Sequence, residues 1–147
     1  MKKVSKNLKD TEQIAKVFLE EILNDDKQNK NALVVGLVGD LGAGKTAFLQ
    51  AIAKHLGVKN KVLSPTFVIM KSYKLKAKNH KLLFHLDAYR LKNEKELLYL
   101  GWEEIIKDGK NLVFIEWPEN VSKIMPKTTK YIHISDQKNG QKSFHFK

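Results

Sequence analysis

Residues 39–46 read Gly-Asp-Leu-Gly-Ala-Gly-Lys-Thr, which fits the pattern G-x-x-x-x-G-K-[ST]. The residue types answer to the chemistry of binding phosphate. Gly39, Gly42 and Gly44 are expected to give the backbone conformations closed to other residues, so that successive N–H groups line one concavity. Lys45 supplies a mobile positive charge for the β- and γ-phosphates, and the Thr46 hydroxyl can ligate Mg²⁺. The positive end of the following helix adds to the field. The candidate nucleotide-binding residues are therefore Gly39, Asp40, Leu41, Gly42, Ala43, Gly44, Lys45, Thr46 and Ala47.

A phosphate loop of this kind needs an acid at the tip of a neighbouring strand, to hold Mg²⁺ or its water. Two candidates end apolar runs: Asp87 after Leu82-Leu83-Phe84-His85-Leu86, and Glu116 after Leu112-Val113-Phe114-Ile115. Spacing alone does not say which holds metal and which orients water. Ser64-Pro65-Thr66 places a hydroxyl where the chain leaves the first loop–helix unit, as switch segments do; out of context it reads first as a proline turn feeding a strand. His85 reads as a packed strand residue, with no second His or acid at obvious ligand spacing. Trp117 can stack on a base or a partner, although large aromatics at strand ends usually join the core.

These residues need elements to hold them. Ala32–Val38 is a continuous apolar run that ends at the glycine loop, the signature of a central parallel strand buried on both faces. Lys45–Leu56 follows as a helix, with Gly57 as its stop. Upstream, Asp10 caps an amphipathic helix over 11–23, with Gln13 three residues on. Thr66–Lys74 and Lys81–Leu86 make a hairpin around Lys76-Ala77-Lys78-Asn79-His80. Glu94–Leu100 and Trp102–Lys107 read as short helices, and Leu112–Trp117 as a second buried strand stopped by Pro118. Tyr131–Ser135 and Ser143–Phe146 are strands around Lys138-Asn139-Gly140. The expected fold is α/β and P-loop NTPase-like: a central, mostly parallel sheet flanked by helices, with an antiparallel hairpin. No linker divides residues 1–147, so one domain is expected.

Composition narrows the classes. Cysteine is absent, which excludes disulfides, thiolate nucleophiles and Cys-based zinc sites. The basic start Met1–Lys6 has no apolar stretch behind it, and the most apolar run is seven residues long. A signal peptide or membrane span is therefore not expected, and the reading is a cytoplasmic protein. The net charge is +11, but Arg90 is the only arginine among the 27 basic residues. Nucleic-acid readers lean on arginine for bidentate contacts. The cluster Lys71, Lys74, Lys76, Lys78 and Lys81 reads first as charge that blunts a hairpin edge. Arg90, three residues after Asp87, reads as a carboxylate or phosphate clamp.

Taken together, the blocks Gly-Asp-Leu-Gly-Ala-Gly-Lys-Thr (39–46), Ser-Pro-Thr-Phe (64–67), His-Leu-Asp-Ala-Tyr-Arg-Leu (85–91), Leu-Gly-Trp-Glu-Glu (100–104) and Ile-Glu-Trp-Pro-Glu (115–119) resemble the TsaE family, formerly YjeE, in order and spacing. The family comprises P-loop ATPases of bacterial threonylcarbamoyladenosine tRNA modification. The resemblance implies an ATP- and Mg²⁺-dependent protein, slow in hydrolysis by itself, that works with TsaD and TsaB; tRNA contact, direct or indirect, is left open. It implies phosphate and Mg²⁺ binding by Lys45 and Thr46, a switch-like segment at Thr66, catalytic water at Asp87, Mg²⁺ at Glu116, and a nucleotide or partner face at Trp117. Two departures stand out. Ala47 replaces a frequent Ser or Thr that can bond the α-phosphate, and Leu-Asp-Ala-Tyr-Arg replaces the usual Phe-Asp-Leu-Tyr-Arg. The alternatives are a P-loop small-molecule kinase, for which one arginine offers little lid material, and a nucleotide-dependent interaction module without enzymatic activity. A GTPase is disfavoured, because no Asn-Lys-x-Asp sequence is present.

Overall fold

The structure, a computed structural model, describes residues 1–25, 30–40, 42–59, 69–76, 79–137 and 139–147. Among the described residues seven strands form one sheet: β1 (Lys2–Ser5), β2 (Leu33–Val38), β3 (Met70–Lys74), β4 (Leu82–Asp87), β5 (Asn111–Glu116), β6 (Lys130–Asp136) and β7 (Lys142–Phe146). Their spatial order is β1-β7-β6-β2-β5-β4-β3. The four middle strands, β6, β2, β5 and β4, run parallel to one another. Antiparallel pairings finish both sides, β3 on β4 and β7 on β6 followed by β1 on β7. The mostly parallel α/β sheet expected from sequence is the one observed, with antiparallel hairpins on both flanks.

The parallel strands carry apolar side chains on both faces because helices cover both. On one face, α1 (Leu8–Asp25) and α2 (Lys45–His55) pack Ile14, Phe18, Phe48 and Ile52 against Val35, Leu37, Leu83, Phe114 and Phe144. On the other, α3 (Lys95–Tyr99) and α4 (Trp102–Lys107) bring Leu97, Trp102 and Ile105 onto Val34, Phe84, Leu86, Val113 and Ile115. The split follows the period-two alternation of strand residues.

Three local readings change. The first helix starts at Leu8, because Asn7 and not Asp10 is the cap. The Asn7 side chain accepts the Asp10 N–H at 2.8 Å, and the Asp10 carboxylate accepts the Lys6 N–H at 3.0 Å. The basic Lys2–Ser5 stretch, too short and polar to announce itself, is strand β1, held by its register on β7. Pro118 does stop β5, but a 3-10 helix over Pro118–Ile124 follows it and buries Val121. Gly57 ends α2 with φ 78°, as expected. The β3–β4 hairpin is present, and the part of its strand at 66–68 and the tip residues Ala77 and Lys78 lie outside the described residues.

Candidate functional site

Parallel alignment puts the C-terminal ends of β2, β4 and β5 on one edge of the sheet, the edge at which open α/β folds bind ligands. The register aligns Asp87 with Glu116, and Glu116 with Leu37. The two predicted acids therefore share one cross-strand row beside the strand that feeds the glycine loop. Asp87 and Glu116 lie on the same face as Leu83, Phe114 and Leu37, the face against which α2 packs. Twenty-nine positions apart in sequence, they are brought side by side by the fold.

The loop turns from β2 into α2. Gly42 and Gly44 take φ 79° and 106°, the left-handed region that glycine enters without strain. Gly39 is a correction: it is not among the positive-φ glycines, and its requirement is space. A Cβ there would stand 2.4 Å from the Ile134 carbonyl oxygen of β6. Leu41 lies outside the described residues. Gly44 caps α2 without a side-chain hydrogen bond, so among the described residues no side-chain cap competes with an anion for the first-turn N–H groups. Lys142 reaches in from β7, its Nζ donating to the Gly42 carbonyl at 3.2 Å and pairing with the Asp136 carboxylate.

Lys45, only 5% exposed, is held at the loop mouth. Its Nζ donates to the carbonyls of Gly39 and, at 2.9 Å, Asp40. It also stands 4.7 Å from the centre of the Trp117 ring, within cation–π range. Burial pulls the Lys45 pKa below the ordinary lysine value, against opposing pulls from Glu116, Asp87, Glu119 and Asp40. Burial likewise raises the Asp87 pKa; Glu116 adds to the rise, while the Tyr89 N–H, His85 and Lys45 oppose it. The Tyr89 N–H bond to Asp87 Oδ1 is 3.0 Å long.

Trp117 is the only non-glycine residue with positive φ among those described, at 59°. Its half-buried ring meets that of Tyr89 at 5.0 Å between centres. Asn120 ties the 3-10 helix to the turn after β4, its Nδ2 donating to Ala88 O at 2.9 Å and Tyr89 O at 3.2 Å. A left-handed tryptophan held this way is strained backbone beside the strand-end acids, a feature that residue spacing does not reveal. Thr46 and Ala47 are half-buried on the first turn of α2. A cavity of about 200 Å³ beside Gly44 and Ala47 is lined also by Asn7, Leu8, Thr11 and Lys142. No sequence motif marks it, since its walls come from both ends of the chain.

Other expectations stand apart. Thr66, with Ser64 and Pro65, lies outside the described residues. Arg90 is exposed in the turn following β4. Lys71, Lys74, Lys76 and Lys81 are exposed on or beside β3 and β4, β3 being the edge of the sheet among the described residues, while Lys78 lies outside them. His85 is buried as expected but has an acidic partner after all: its Nε2 is 2.6 Å from Glu116 Oε2. The pairing was invisible because the two residues are 31 apart in sequence. No three His, Cys, Asp or Glu side chains converge as a metal cage among the described residues. No described helix is long and apolar enough to cross a membrane.

Glycine loop, uncapped helix start, buried lysine and strand-end acids define a nucleotide-binding protein of the P-loop type. The family model described as threonylcarbamoyl adenosine biosynthesis protein TsaE matches residues 5–144. The tRNA threonylcarbamoyladenosine biosynthesis protein TsaE of Rickettsia prowazekii (strain Madrid E) is 38% identical over 118 residues, covering 80% of this chain and 74% of its own. The same-named Haemophilus influenzae protein is 31% identical over 119 residues, covering 81% and 72%. The crystal structure of a Bacillus YdiB superposes with a TM-score of 0.72 at 27% identity, over 99% of this chain and 83% of that one. The chain belongs to the TsaE family.

Proposed function

We propose that this chain is a single-domain, cytoplasmic, ATP-binding and slowly ATP-hydrolysing subunit that acts with TsaD and TsaB in threonylcarbamoyladenosine modification of tRNA. The observation that carries the ATPase reading is the row of Asp87 and Glu116 on the same edge as the Lys45 loop. The pathway assignment rests on family membership and on the names its relatives carry.

The residues present fit the nucleotide. The uncapped start of α2 and the glycine loop offer N–H donors to phosphate oxygens. Lys45 exchanges the Gly39 and Asp40 carbonyls for β- and γ-phosphate oxygens, and Trp117 flanks the same charge. The cavity beside Ala47 is assigned to the nucleoside and α-phosphate end, where the Ala47 methyl stands in place of the hydroxyl frequent in the family. The oxygen donors of Thr46 and Glu116 suit Mg²⁺, which completes its shell with phosphates and water and needs few protein ligands. When bound, Mg²⁺ neutralises charge on the β- and γ-oxygens. Asp87 orients the attacking water and takes up its proton, a role suited by a carboxyl whose pKa burial has raised. Thr66 is assigned to the switch-like segment by family resemblance alone.

The test is ATP turnover with and without the TsaD–TsaB pair, alongside nucleotide binding. Lys45→Ala is expected to abolish tight ATP binding in a folded protein. Asp87→Asn should spare binding and cut turnover, whereas Glu116→Ala should weaken Mg²⁺-dependent binding. The opposite pattern would exchange the two roles, and wild-type affinity in Lys45→Ala would end the phosphate-loop reading.

A further inference from the structure

His85 sits on β4 one layer deeper than Asp87, on the same face, between apolar neighbours. Its side chain is fully buried, and that of Glu116 is 5% exposed. A carboxylate can only accept, so the Nε2–H of His85 donates to Glu116 Oε2, and the 2.6 Å separation is that of a charge-assisted bond. The other ring nitrogen, Nδ1, is buried without a hydrogen-bond partner among the described residues.

A purely structural role explains this poorly. A buried His–Glu pair is weak evidence of stabilisation, since its desolvation opposes its attraction. An orphaned ring nitrogen adds to the cost, and each such group in a folded protein calls for a reason. Leucine at position 85 would extend the apolar layer of Leu83 and Phe114 without either penalty. What leucine could not do is fix the carboxylate. Glutamate has three side-chain torsions, and Glu116 stands at a strand tip where orientation decides what its oxygens reach. Outer hydrogen bonds to metal-binding carboxylates commonly govern affinity by 10- to 100-fold.

We infer that His85 is a positioning residue, its Nε2–H holding the Glu116 carboxylate in the orientation that the Mg²⁺ of the bound nucleotide requires. The inference rests on the reading of Glu116 as part of the Mg²⁺ shell.

The experiment compares His85→Leu, His85→Gln and Glu116→Ala in the full chain. A fluorescent ATP analogue is titrated in EDTA and across Mg²⁺ concentrations, and Mn²⁺ binding to the nucleotide complex is followed by electron paramagnetic resonance. His85→Leu should raise the half-saturating Mg²⁺ and Mn²⁺ concentrations about tenfold or more, with metal-free nucleotide affinity unchanged. His85→Gln, whose amide can donate in place of the ring, should recover most of the loss. His85→Leu should add nothing in the Glu116→Ala background. If Glu116→Ala leaves metal dependence at the wild-type level, the assignment of Glu116 itself fails. If Glu116→Ala shifts it and His85→Leu does not, the positioning role alone fails. Equal losses with and without metal would make His85 structural only and overturn the inference. Should His85→Leu not fold, His85→Asn, whose amide is too short to reach Oε2, takes its place under the same criteria.

Discussion

Gly39→Ala isolates the close approach between the phosphate loop and β6. The added Cβ would lie 2.4 Å from the Ile134 carbonyl oxygen and 3.4 Å from the Ala43 Cβ. A carbon normally approaches an oxygen to about 3.3 Å, so loop and strand must part by about 1 Å. Both sides of the contact are backbone, and no side chain can swing away. Overpacking of this kind costs about 1–3 kcal/mol, and the rigid pair belongs at the upper end. For a chain of this size about 3 kcal/mol corresponds to a fall in Tm of roughly 6–12 °C. Gly42→Ala is the control. Among the described residues nothing lies within 4 Å of its added Cβ, and only its φ of 79° is at issue, a cost of about 1–2 kcal/mol. Urea unfolding and thermal melts of both variants should therefore rank Gly39→Ala as the more damaging. A shift of about 1 Å in the loop should also cost on the order of a hundredfold in turnover. A Gly39→Ala protein that melts with the wild type, or above Gly42→Ala, would refute the space argument.

Lys45→Met should leave the ligand-free protein at least as stable at pH 7. A lysine whose pKa burial has lowered contributes stability above the ordinary 10.5 and loses it as pH falls through the lowered value, so the charged form is a cost at neutrality; a clearly lower Tm at pH 7 than at pH 10, relative to wild type, would contradict this. Asp87→Asn should likewise hold or raise Tm at pH 7, because a raised carboxyl stabilises below the ordinary 3.8 and loses that contribution as pH rises through the raised value; thermal melts from pH 3 to 8 should show the variant's advantage vanish at the acid end. Replacing Lys74 and Lys76 on the β3 side by Gln should reduce partner-stimulated ATPase modestly at low salt and not at high salt, and a large salt-independent loss would exclude both edge protection and electrostatic steering.

The phosphate loop was legible because its chemistry is local: eight consecutive residues carry it, and apolar runs on either side announce the strand and helix. Asp87 and Glu116 were legible for the same reason, each being an acid at the end of a hydrophobic run. What joins them was not. The His85–Glu116 bond, the Lys45–Trp117 contact and the cavity beside Ala47 are made by parallel register and by residues from opposite ends of the chain. Periodicity assigns a residue to a face of its own element; it cannot say which distant residue shares that face. Gly39 shows a subtler limit. Its glycine was expected for conformation and is needed for clearance, and only the position of Ile134 separates the two. Asn7 and Asp10 both suit a cap of α1 by residue type, and only the bond from the Asp10 N–H to the Asn7 side chain separates them.

The outer strand β1 has a bearing on how the sheet is assembled. It pairs with β7 over Lys2–Ser5 and Lys142–Ser143–Phe144–His145, and the Met1 amino group meets the Phe146 carbonyl across a separation of 145 residues. Closing so large a loop brings its reward last. During synthesis, β1 must wait for β7 before it finds its place. Until then β6 has no neighbour on that side, and α1 lacks the Phe146 ring that stacks on Phe18. The cavity beside Ala47, walled by Asn7, Leu8 and Lys142, forms only when this final seam closes. A nucleotide held there, as proposed above, would act as a clasp on the seam between β1, β7 and the glycine loop.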